Sequence, residues 1–144
     1  MTKFKKIAAA AIAAVSIGAI SVTASAATIY TPPVSWQAKY AQGAPTSVNK
    51  TYYYPIYVYG NGYDISCTSY LGDYDRNVVV RKQYYVLDGG LPNSVDEKVT
   101  DLHAETSSPI YIKNPTGIYG DSITFSFKAE SSYSCDARGV ISYH

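Results

Sequence analysis

Residues 51–71 read TYYYPIYVYGNGYDISCTSYL, a run that favours strand over helix. Tyr, Val, Ile and Thr suit the pleated, half-buried setting of a sheet. Similar short runs recur along the chain, separated by Gly, Pro, Asn and Asp. Asn61-Gly62 lies between two such runs, where the dipeptide favours a two-residue type I′ hairpin turn. That turn pairs Gly60 with Tyr63, Val58 with Ile65, Ile56 with Cys67, Tyr54 with Ser69 and Tyr52 with Leu71. Tyr52, Tyr54, Ile56, Val58, Ile65, Cys67 and Leu71 then share an inner face. Tyr53, Pro55, Tyr57 and Tyr59 face outward, opposite Tyr70, Thr68, Ser66 and Asp64. Pro55 has no amide to donate, so strand 51–60 belongs at a sheet edge. Such an edge is a place where a second chain can add a strand.

A second hairpin is expected at the C-terminus. Ile123, Phe125, Phe127 and Ala129 alternate with polar residues, as do Tyr133, Cys135, Ala137, Gly139, Ile141 and Tyr143. A three-residue loop pairs Ala129 with Tyr133 and Phe127 with Cys135. Between the hairpins, Asn77 to Leu87 reads as a long strand ending at Asp88-Gly89-Gly90. Residues 91–108 are polar and loop-like, with a helical turn expected near Val95 to His103. Ile110 to Lys113 is a short strand, Val34 to Ala41 a first strand, and Thr28 to Pro33 an extended arm. The expectation is a single-domain, all-β antiparallel sandwich.

The N-terminus points to export. Lys3, Lys5 and Lys6 precede an uncharged apolar run from Ile7 to Ile20, and Ala24 and Ala26 form a small-x-small cleavage site. This is the order of a secretory signal peptide. The expected division is a signal peptide over residues 1–26 and a secreted β domain over 27–144. Removing the signal leaves nine basic against 11 acidic residues, a charge of −2. No basic patch for nucleic acid remains, and no second apolar segment of spanning length follows. In an exported chain, two cysteines imply one disulfide, Cys67 to Cys135, joining the two hairpins through the core. Tyr133-Ser134-Cys135 resembles the tyrosine corner of immunoglobulin-like sandwiches, in which a tyrosine stands two residues before the second cysteine. That resemblance implies an immunoglobulin-like architecture.

Catalytic signals are sparse. Asp73-x-Asp75-x-Asn77 has the opening spacing of a calcium loop, but Val78 and Tyr84 occupy the expected glycine and glutamate positions, so it reads as a solvated turn. Asp101-Leu-His103-Ala-Glu105 brackets a histidine with carboxylates, yet no nucleophile motif accompanies it. No cofactor, metal site or catalytic residue is expected. The 16 tyrosines, all beyond residue 26, are the functional lead. Tyr53, Tyr57, Tyr59 and Tyr70, with Trp36 added from the first strand, form an expected aromatic platform for sugar rings or a protein surface. The leading expectation is a non-enzymatic extracellular binding module for a glycan, cell-envelope or protein ligand. The alternatives are a secreted inhibitor or bacteriocin-like antagonist, presenting a projecting loop near Asp88 to Ser94, and a small hydrolase.

Overall fold

The computed structural model describes residues 28–43, 50–72, 77–103, 108–130 and 133–144, the side chain of His103 excepted. The proposed signal peptide lies outside them. Eight strands carry the fold: β1 (Val34–Tyr40), β2 (Thr51–Tyr57), β3 (Gly62–Gly72), β4 (Asn77–Asp88), β5 (Leu91–His103), β6 (Ile110–Lys113), β7 (Ser122–Glu130) and β8 (Cys135–Tyr143). They form two antiparallel four-stranded sheets, ordered β1-β8-β3-β6 and β2-β7-β4-β5.

Behind this order lies one long antiparallel ribbon. β1 pairs with β8, β2 with β7, β3 with β6 and β4 with β5. Partner numbers add to nearly the same total throughout, as in Val34 with Ile141, Thr51 with Lys128, Gly62 with Lys113 and Asp88 with Leu91. The ribbon turns at Gly89 and Gly90, whose φ values of 58° and 83° suit a tight hairpin turn. It then rolls up, bringing β8 against β3 and β7 against β4. This is the strand order of an eight-stranded jelly roll, which replaces the expected immunoglobulin-like arrangement.

Both expected hairpins are instead arches between sheets. β2 pairs with β7, not β3, and β8 pairs with β1 and β3, not β7. Gly60 is left-handed (φ 54°), but Gly62 is not, whereas a type I′ turn needs positive φ at both central residues. The inner faces are nevertheless largely those expected. Ile56, Ile65, Cys67, Ile123, Phe125, Phe127, Ala129, Cys135, Ala137 and Ile141 are buried. Period-2 alternation tells which way a side chain points, not which sheet its strand joins.

Two further expectations fail for identifiable reasons. Leu71 is exposed because the β3 ladder slips between Cys67 and Ser69, and the extra residue reverses the alternation. Residues 91–103 form a strand rather than a loop with a helical turn; their polarity reflects an edge position where, among described side chains, only Leu102 is buried. The edge position of β2 holds, and Pro55 shows why. Its carbonyl, turned away from β7, accepts the Tyr30 amide of the N-terminal arm, so the side lacking an N–H faces outward too.

The seam between the sheets centres on Trp36, which stacks on Phe127 with centroids 4.4 Å apart and planes 6° from parallel. Gly139, paired opposite Trp36, leaves room for the indole: a Cβ there would lie 2.4 Å from Trp36 Cζ2. Cys67 and Cys135 are both buried and free. They lie in neighbouring strands of one sheet, Cys67 opposite Gly139 and Cys135 opposite Gly72. That four-residue offset is about 13 Å, too far for a bond, so the expected disulfide is not present. Burial raises the Cys67 thiol pKa, which disfavours its reactive thiolate. Reductant should therefore leave the melting temperature unchanged, although a disulfide closing this loop would contribute about 4 kcal/mol. Thiol titration should find two reactive groups only after denaturation; a native mass short by two hydrogens would contradict this.

Candidate binding face

The outward residues of the β2-β7-β4-β5 sheet form a surface whose neighbours the ladders fix. β7 points Ile123, Phe125, Phe127 and Ala129 into the core, so Ser122, Thr124 and Ser126 face out. Ladder register fixes their neighbours. Ser126 lies between Tyr53 of β2 and Arg81 of β4, with Lys98 of β5 beyond. Thr124 lies between Pro55 and Gln83, with Asp96 beyond. Ser122 lies beside Tyr57.

Short side chains along the middle strand and long ones on both flanks make a trough. Its floor from Ser122 to Ser126 runs about 13 Å, and its walls stand two strand spacings, about 10 Å, apart. Tyr53 is 64% exposed. Arg81 Nε bonds Asp96 at 2.9 Å, and Gln83 Nε2 donates to Ser94 Oγ at 3.0 Å, so the β4 wall is held from the β5 side. Arg81, Lys98 and Lys128 pair with Asp96, Asp101 and Glu130 respectively. Three cations against three carboxylates leave this face electrically balanced.

At the Ser122 end the chain arches from β2 to β3, carrying further tyrosines. Tyr57 meets Tyr59 with centroids 6.1 Å apart, and Tyr59 meets Tyr143 at 5.4 Å. The arch is held from inside by Tyr63, whose ring is fully buried against Phe125. Its hydroxyl donates to the Tyr57 carbonyl and accepts the Tyr59 amide. Burial raises the Tyr63 pKa, partly offset by the Tyr59 amide.

Of the expected platform, Tyr53, Tyr57 and Tyr59 lie along this face and its end. Trp36 does not: at 2% exposure it is the core of the inter-sheet seam. Tyr70 lies in β3 of the other sheet, half-buried against the core. Reasoning from sequence missed Arg81, Gln83, Ser122, Thr124 and Ser126, whose alternation was legible but whose neighbours were not. Asp73 and Asp75 of the calcium-like run and Glu105 of the histidine run lie outside the described residues. Asp101 is held by Lys98 at 2.7 Å. Among the described residues, no three His, Cys, Asp or Glu side chains gather as a metal site.

In comparisons with known proteins, no family model, curated protein or solved structure matches the chain. The functional reading therefore rests on the surface itself.

Replacing Tyr63 with Phe removes one donor and one acceptor beneath the arch. The Tyr63→Phe variant should lose about 1–3 kcal/mol in denaturant unfolding. Because the folded pKa is raised, Tyr63 contributes fully below its unfolded value and loses that contribution as pH rises from about 10. This part of the alkaline loss should be missing in the Phe variant; identical wild-type and variant pH profiles would contradict the assignment.

Proposed function

We propose that this chain is an exported, non-enzymatic binding module that holds an uncharged glycan on the β2-β7-β4-β5 face. The observation that carries the reading is the trough over Ser122, Thr124 and Ser126, bordered by Tyr53, Pro55 and Tyr57. Tyrosine rings offer apolar faces to the C–H surfaces of sugars and a phenol at the rim. Serine and threonine hydroxyls, with Gln83, offer both donors and acceptors to sugar hydroxyls. The balanced charges favour a neutral ligand over an anionic one. Export rests on the cationic, apolar and small-residue succession of the first 26 residues.

Affinity electrophoresis through gels containing neutral polysaccharides tests the reading. Wild-type protein should be retarded by at least one of them. Tyr53→Ala and Tyr57→Ala should each weaken that binding by about tenfold, the equivalent of about 1.4 kcal/mol. Lys39→Ala, in the other sheet, should not. Retardation insensitive to both tyrosine changes would remove the proposal.

One observation favours the inhibitor reading as an alternative. β4 continues to Asp88 although its ladder with β7 stops at Gln83; the segment before β7 follows it through the Tyr119 amide on the Tyr85 carbonyl and the Val86–Ile118 bridge, and only the tip of the β4–β5 hairpin extends beyond. Leu87 and Leu91 are exposed near its tip. Such a knob suits insertion into an apolar cleft of another protein.

A further inference from the structure

We infer that the binding face does not end at the sheet but continues around the β2–β3 arch, so that the ligand is a polymer bound along its chain rather than at an end. The inference rests on the glycan reading and specifies the form of the ligand. Tyr53 and Tyr57 lie four residues apart on one face of β2. From Tyr57 the aromatic contacts pass to Tyr59 at 6.1 Å and on to Tyr143 at 5.4 Å. Tyr59 is 40% exposed and Tyr143 53% exposed. The resulting track is on the order of 25 Å long, taking the strand rise together with the two ring spacings. A disaccharide covers only part of that length.

The far end of the track is rigid. Asn114 Nδ2 donates to the carbonyls of Tyr59 and Gly60 at 3.0 and 3.1 Å. The Asn61 amide donates to the His144 carbonyl at 3.2 Å, and the His144 amide to the Gly62 carbonyl at 2.9 Å. Gly60 is held so close that an added Cβ would lie 2.3 Å from the His144 carbonyl oxygen. The backbones bearing Tyr59 and Tyr143 are thus fastened to each other before any ligand arrives. A backbone held in place this way loses little freedom on binding.

Isothermal titration of the full chain with two- and six-residue β-1,4-linked glucose, xylose and mannose oligosaccharides tests this. A hexamer should bind at least about tenfold more tightly than the dimer of the same sugar, as expected when further rings are engaged. Tyr143→Ala and Tyr59→Ala should each bring hexamer affinity down to about that of the dimer, with far-UV circular dichroism showing that both variants keep the wild-type fold. Equal affinity for dimer and hexamer, or a length advantage that survives both changes, would overturn the track while binding dependent on Tyr53 and Tyr57 still upheld the trough. Binding indifferent to Tyr53 and Tyr57, or no binding of any of these sugars, would overturn both.

Discussion

An apolar face on a strand must meet another apolar face, and in this protein the partner face comes from the opposite sheet. Ile56 of β2 and Ile65 of β3 both point inward, but from opposite sides. Phe127 and Trp36 meet in the same way, ring on ring. The chain therefore changes sheet between consecutive strands at every step except the β4–β5 hairpin. Rolling a long ribbon satisfies this demand while keeping each strand paired with its antiparallel partner. Gly139 lets the tryptophan lie close to its own sheet, and so sets how tightly the seam closes.

The outer surface follows from that interior. β7 is a central strand and turns two large residues, Phe125 and Phe127, into the core. Its outward positions carry small hydroxyl residues. β2 is an edge strand with one ladder neighbour, and its outward positions carry Tyr53, Pro55 and Tyr57. The trough is the height difference between these two strands. The arch that keeps β2 and β3 in different sheets also brings Tyr59 beside Tyr143, so the same crossing that closes the core builds the aromatic end.

Much of this was readable in the residues, though not the connectivity. Alternation located every strand except β5 and identified most of the core. Pro55 correctly marked an edge even though the partner inferred for its strand was wrong, because a missing donor constrains one side of a strand whatever stands on the other. Asn61-Gly62 misled because a local turn preference is worth little against burying Ile56, Tyr63 and Ile65 between two sheets. Trp36 was misplaced for a related reason: its strand was visible, but the glycine that accommodates its ring is more than a hundred residues away. Thr68 faces outward as expected, whereas Leu71 could not be assigned without the bulge. Tyr53, Tyr57 and Tyr59 were legible as outward residues, whereas the serines and threonine between the walls required the β2–β7 register.

The rolled ribbon is tested most directly by nuclear Overhauser contacts between α-protons. Pro55 and Thr124 form a pair without mutual hydrogen bonds, which places their α-carbons about 4.5 Å apart. A strong cross-peak between those two α-protons is the predicted result. A strong cross-peak from Pro55 to Thr68 would show β2 folded back on β3 as a hairpin, and would contradict the crossing on which both the core and the binding face depend.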